Sequence, residues 1–184
     1  MKDPIIQTPR CYLFPFEETD LRDAASFLQD TEVMYAWERT FTDEEILQSI
    51  RDCKQEQSLN GFSIMMARHR DTHEPIGRAG VRKDVLHGKP VIEIAYMLAK
   101  KFWGQGYATE LADACINFAF QTLKEDIVYA EVRPTNKASI AVLHRLGMKP
   151  DKPAIKIYGG IPMAMLTFTI TRQDYFANKD PLRK

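Results

Sequence analysis

Neither charge predominates in this sequence: 25 Lys and Arg residues face 25 Asp and Glu residues among 184, a formal net charge of zero. A nucleic-acid partner normally shows as a basic excess or a concentrated Lys/Arg stripe, so neutrality excludes that class as the main partner. No apolar run approaches the roughly 18–20 residues that cross a bilayer, which excludes a helical membrane span. The opening MKDPIIQTPR lacks the apolar segment of a secretory leader. Cys11, Cys53 and Cys115 are too few and too far apart for a disulfide framework, which fits reduced thiols and a cytoplasmic location. The four histidines form no ligand cluster. His69 and His73 lie in HRDTHEP, which reads as a turn, so no metal site is expected.

What remains is an ordinary globular composition, 45% apolar and 27% charged, without repeats or a linker. One domain is expected over 1–184, with its core over about residues 8–172. A strand near Cys11 to Phe16 leads to Thr19, a candidate cap for a helix carrying Leu21, Ala24, Ala25 and Leu28 on one face. Thr42 and Glu45 form a capping box for a second helix that buries Ile46, Ile50 and Cys53. Between them stand Tyr35 and Trp37, both expected to be exposed. Three strands follow, Phe62 to Arg68, Pro75 to Asp84 and Val91 to Leu98, separated by DTHEP and HGKP turn material. In the third, Ile92, Ile94, Tyr96 and Leu98 share one face, and Glu93 and Ala95 take the other. From about Gln105 the period becomes 3.6, with Ala108, Leu111, Ala112, Cys115, Phe118 and Ala119 in one stripe; Cys115 is read as a core residue. IVYAEV returns to strand, NKASIAVLHRLG is a short helix, and two strands flank the glycines between Ile157 and Ile161. The result is a mixed α/β layered domain.

The stretch KKFWGQGYATEL carries the chemistry. It sets Gly104 and Gly106 between a strand and a helix start, where amides without intrahelical partners carry about +0.5 of a charge. Such a loop suits an anion, although a tight turn alone also explains the glycines. A dinucleotide fingerprint would need glycine where Thr109 stands, and a P-loop would need Gly-Lys-Ser/Thr; both fail. Asn136 is a strong N-cap for the short helix and Gly147 a good stop.

Together, Lys101-Phe-Trp-Gly104-Gln-Gly106 and the downstream Asn136, Ser139, Leu143 and Gly147 resemble the acetyl-CoA motifs of the GNAT N-acetyltransferase superfamily, and nearly the whole chain follows its element order. Lys101 replaces the usual Gln or Arg. FWGQGYATE, PTNKASIAVLHRLGM and the closing IYGGIPM hairpin look most like the RimJ/RimL ribosomal-protein N-acetyltransferase branch.

The resemblance implies a GNAT-like α/β fold, with a mixed, mostly antiparallel sheet splayed at the acetyl-CoA site and flanked by helices. It implies acetyl-CoA as co-substrate, no metal, and an amine acceptor that is a protein N-terminus or a small molecule. The assembly is expected to be a monomer or homodimer. Lys101, Trp103, Gly104, Gln105, Gly106, Tyr107, Ala108 and Thr109 would hold the pyrophosphate, Met97 and Leu98 the pantetheine arm, and Asn136 would bond to the pantetheine. An N–H near Leu98 would face the thioester carbonyl. Leu143 stands where many relatives have a proton-donating Tyr, so Ser139 is the candidate leaving-group acid. Glu93 is the first candidate base and Glu131 the second, while Tyr35 and Trp37 would line the acceptor entrance.

Overall fold

The structure, a computed structural model, describes residues 3–158 and 160–179. Among these, eight strands form one sheet in the order β1-β2-β3-β4-β5-β6-β8-β7. The strands are β1 (Ile6–Gln7), β2 (Cys11–Phe14), β3 (Ile64–His69), β4 (Pro75–Leu86), β5 (Lys89–Leu98), β6 (Ile127–Val132), β7 (Lys149–Tyr158) and β8 (Ile161–Thr171). The helices are α1 (Leu21–Leu28), α2 (Asp43–Asn60), α3 (Tyr107–Gln121), α4 (Lys137–Arg145) and α5 (Arg172–Lys179). Every neighbouring strand pair is antiparallel except β5 and β6, which run parallel and meet at a single register pair, Glu93 with Tyr129. That one-residue contact in the middle of the sheet is the splay the resemblance implies.

Why these segments fold so is mostly readable. Thr42 and Glu45 close the predicted capping box on α2, and Gly61 ends that helix. Leu111, Ala112, Cys115 and Ala119 are fully buried along α3, so the 3.6-residue stripe faces the core as expected. Leu86 and Lys89 pair across a two-residue turn, His87-Gly88, with positive φ at both positions, the conformation that matches strand twist. That turn sets the register of the whole β4–β5 ribbon.

Three expectations need correction. The first predicted strand is preceded by β1, and α5 extends the chain past the anticipated core end at 172. Thr19 does not cap α1. Glu17 and Asp20 instead form a reciprocal capping box on the short 3-10 turn Glu18–Asp20 that leads into it. Of the two glycines in the closing turn, Gly159 lies outside the described residues.

The helices lie on opposite faces of the sheet. Arg78 and Arg82 of β4 approach Cys53 of α2, whereas the Tyr96 hydroxyl of β5 reaches α4. Because strand side chains alternate, α1 and α2 cover one face and α3 and α4 the other. Phe27, Leu28, Ile46 and Ile50 fill the first layer, with Leu111, Ile116 and Phe120 in the second. No helix among the described residues is long and apolar enough to cross a membrane.

Candidate active site

The splay exposes backbone on one edge of β5. Ala99 N–H donates to Ile76 O (2.9 Å), so by antiparallel alternation the amides of Met97, Ala95 and Glu93 also face β4. The amides of Leu98 and Tyr96 therefore point the other way, into the gap where β6 has diverged. Leu98 is buried and Met97 half-buried, so their side chains pack while the backbone is presented. The Leu98 carbonyl accepts from the Trp103 indole (2.9 Å). This bond fixes the start of the glycine loop against the end of the strand.

Both loop glycines have left-handed φ, 71° at Gly104 and 83° at Gly106. Any other residue there would be strained. A Cβ placed on Gly104 would meet no protein atom within 4 Å, so the backbone there is open to approach. Gly106 is the N-cap of α3 and supplies no side chain to its first turn. The amides of Tyr107, Ala108 and Thr109 accordingly have no intrahelical acceptor. This cradle fits a diphosphate: its first-turn amides have no intrahelical acceptor, the helix dipole favours an anion, and the side chain nearest Gly106 is the cationic Arg10, whose Nη2 lies 3.5 Å from the Cβ position.

The loop residues take different roles. Tyr107 is buried against Phe102, so only its backbone can serve a ligand. Trp103 is 42% exposed. Lys101 is ion-paired with Glu74, Gln105 Nε2 donates to Lys101 O (2.7 Å), and Thr109 Oγ1 accepts from Arg145 (3.0 Å). Ala108 is half-buried. Arg10, which sequence reasoning missed, reaches the loop from the β1–β2 turn. Its Nη1 donates to Gln105 O (3.0 Å) and its Nε pairs with Glu110 (2.7 Å). Glu110 would otherwise repel an anion from the first turn of α3; Arg10 and the Thr8 hydroxyl (2.6 Å) hold that carboxylate.

Across the gap, Asn136 caps α4 as predicted. Its Oδ1 accepts from Ser139 N–H (3.0 Å) and from the Tyr35 hydroxyl (2.9 Å). Arg133 pairs with Glu38 (2.7 Å), so two bonds strap the 35–38 turn to the segment after β6. Trp37 is half-buried rather than exposed, because Tyr158 packs edge-on against it at 4.7 Å. Ser139 is half-buried, and its carbonyl accepts from the Tyr96 hydroxyl (3.3 Å). Burial pushes that phenol up to about 12, which keeps it neutral. Leu143 is buried.

Glu93 faces away from α3, as alternation predicts, yet it is only 3% exposed. Arg82 pairs with it at 2.8 Å and with Asp84 at 3.4 Å. Lys156 of β7 joins Asp84 (2.8 Å) to Glu131 (2.9 Å). Burial pushes the Glu93 carboxyl up to about 7. Arg82 offsets part of that rise, and contact with Asp84 and the charge of Glu131 add to it. The two candidate bases, both buried, thus belong to one network with partly exposed Arg82, Asp84 and Lys156 beside the splay. Arg82, Asp84, Lys156 and Tyr158 joined it unforeseen.

Comparison with known proteins agrees with this architecture. A family model described as an acetyltransferase (GNAT) domain matches residues 10–149, and the chain belongs to the GNAT acetyltransferase family. The uncharacterized N-acetyltransferase p20 of Bacillus licheniformis is 31% identical over 152 residues, covering 79% of this chain and 83% of that protein. The uncharacterized protein YkkB of Bacillus subtilis (strain 168) is 37% identical over 92 residues, 50% of this chain and 54% of that one, so the match spans about half of YkkB. The crystal structure of an acetyltransferase from Agrobacterium tumefaciens str. C58 has a TM-score of 0.77 at 23% identity, covering 94% of this chain and 96% of its own. A ribosomal-protein-S5-alanine acetyltransferase from Vibrio fischeri has a TM-score of 0.71 at 17% identity, covering 92% and 97%. A spermidine N-acetyltransferase from Vibrio cholerae, solved with CoA and spermine, has a TM-score of 0.71 at 16% identity, covering 90% and 98%. These structural likenesses establish the fold.

Proposed function

We propose that this protein is an acetyl-CoA-dependent N-acetyltransferase of the RimJ/RimL-like branch, transferring acetyl to a primary amine by direct attack on the thioester. The observation that carries the reading is the opened edge of β5 running into a glycine cradle at the start of α3. Acetyl-CoA supplies an activated acyl carbon. The amides of Gly104 to Thr109 hold the diphosphate, and the amides of Tyr96 and Leu98 pair with the pantetheine arm. The Leu98 N–H is a fixed donor for the oxyanion that forms as the amine attacks. With its Oδ1 taken by two donors, Asn136 offers its amide N–H groups to the pantetheine.

The amine must attack as free base. A lysine-like amine with pKa ~10.4 is neutral about once in 2,500 molecules at pH 7, and an α-amine near ~7.8 about once in seven. Glu93, ionising near 7, is matched to take that proton. Ser139 is the donor to the leaving thiolate, and Tyr35 and Trp37 border the acceptor entrance. A non-catalytic CoA-binding module of the same fold is the second reading, favoured by Leu143, which has no proton to give.

The test is CoA thiol release from acetyl-CoA with a panel of N-terminal peptides and small-molecule amines, alongside calorimetry of CoA binding. Binding without release from any amine selects the second reading; no binding at all sinks both. Gly104→Val is expected to abolish CoA binding, because it puts a β-branched side chain into a left-handed position and into the cradle.

A further inference from the structure

Arg78 of β4 stands apart from the charges described so far. Among the described residues its guanidinium has neither a hydrogen bond nor an ion pair. Arg22 is unpaired too, but it lies exposed on α1, where water serves its five N–H donors. Arg78 is half-buried. Burial lowers its pKa from the ordinary arginine value; Cys53 opposes that drop, and the like charge of Arg82 adds to it. A charge so placed costs stability unless something pairs with it. The nearby carboxylates serve Arg82 instead. Glu93 and Asp84 pair with it, and Glu56 of α2 is held down by its charge.

The surroundings of Arg78 are open on one side. It pairs with Met66 on β3 and with Met97 on β5, so these side chains share the α1–α2 face of the sheet. On that face Ile64 and Met66 are buried, as interior strands require, whereas Ala95 and Met97 are half-buried. Solvent therefore reaches the β4–β5 part of the face. Between Arg78 and Arg82 the floor is made by Gly80 and Ala95, a cross-strand pair of the smallest residues. Tyr158 feels the charge of Arg82 and Trp37 packs on Tyr158, so the acceptor entrance opens over the same face. Met97, the partner of Arg78, immediately precedes Leu98, whose amide faces the gap.

Building on the N-acetyltransferase reading, we propose that Arg78 is the docking group for a carboxylate carried by the acceptor. The acceptor class is then amino carboxylates, with the carboxylate a few bonds from the nitrogen, in preference to plain alkylamines or polyamines. The guanidinium presents parallel N–H donors to the two carboxylate oxygens, a match that an ammonium group cannot make. The spacing suits a short acceptor. Arg78 and Met97 face each other across one ladder step, with Cα atoms about 5 Å apart. A carboxylate held there keeps its amine close to the end of β5, where the Leu98 N–H is the donor for the oxyanion. A packing role alone would not call for a charge, since an apolar side chain fills such a place as well or better.

The test uses the full chain saturated with CoA and carrying isotope-labelled methionine methyls, so that Met97 reports on its cross-strand partner by NMR. Butyrate and n-butanol, equal in chain length, are titrated separately at neutral pH and constant ionic strength. Read from the Met97 signal, the wild type is expected to bind butyrate at least about tenfold more tightly, the scale of one charge-assisted pair. Arg78→Met should reduce the preference below about twofold with CoA still bound. Arg78→Lys, which keeps the charge and loses the planar fork, should retain part of it. Equal binding of the two probes by the wild type overturns the proposal without any variant, as does a preference that survives Arg78→Met. Thiol release with amines that lack a carboxylate, alongside either of those results, would retain the acetyltransferase reading and remove only the carboxylate site. A chain that binds no CoA overturns both.

Discussion

Replacing Glu93 by Gln separates its buried carboxyl from its proposed role as base. The carboxyl ionises at about 7 in the folded protein, against an ordinary value of 4.5. The native state therefore binds a proton that the unfolded chain has already released between those limits. Stability attached to this group is highest at low pH and falls as pH rises through 7. At 1.36 kcal/mol per unit, the loss between pH 5 and pH 8 comes to about 2–3 kcal/mol. Glu93 is nearly fully buried, so solvent screening takes little from that figure. Gln occupies the same volume and cannot ionise. Relative to wild type, Glu93→Gln should gain about 2–3 kcal/mol in urea unfolding between pH 5 and pH 8. Kinetics test the other role. Wild-type kcat/KM for an amine should rise about tenfold per pH unit below 7 and level off above it. Glu93→Gln should lose that limb and about 10²–10⁴ in rate, the usual share of a general base, with CoA affinity intact. Wild-type turnover in the variant from pH 6 to 9 would remove the base; a pH-independent stability difference would refute the buried-charge reasoning.

Ser139→Ala removes the hydroxyl proposed for the departing thiolate but keeps the backbone N–H that Asn136 accepts. It should lower kcat by at least tenfold and leave calorimetric CoA affinity nearly unchanged; an undiminished kcat clears Ser139 of that role. Arg10→Met breaks the pair that holds Glu110 and frees a carboxylate in the first turn of α3. CoA should bind about three- to tenfold more weakly, through the helix-terminus effect, while dephospho fragments without the diphosphate bind as before. An unchanged CoA affinity would mean that the Thr8 hydroxyl and the backbone N–H of residue 10 are enough to mask Glu110.

The parts legible in the sequence are those whose cause is local. Periodicity placed α3, the Thr42–Glu45 box placed α2, and Asn136 and Gly147 bounded α4, because each signal lies within a few residues of its effect. Thr19 misled because its hydroxyl resembles a cap, while the acidic pair Glu17 and Asp20 supplies the bonds. Arg10 was invisible because its partner Glu110 is 100 residues away. The charged network around Glu93 was closer to legible. Read as a two-residue hairpin turn, His87-Gly88 fixes Leu86 opposite Lys89 and so Arg82 opposite Glu93. Taking HGKP as four residues of turn hid that pairing. Lys156 could not be found this way, since it arrives from β7 across the splay.

The charged cluster around Glu93 also bears on why the proposed site lies where β5 and β6 part. A continuous β5–β6 ladder would pair the backbone amides of Tyr96 and Leu98 and leave none of them for a ligand. Charged side chains grouped around two buried carboxylates, Glu93 and Glu131, are poor stabilisers; apolar residues of similar volume generally serve a fold as well or better. The protein keeps them at the one interior place where two strands part, and there the Glu93 proton equilibrium falls near neutrality.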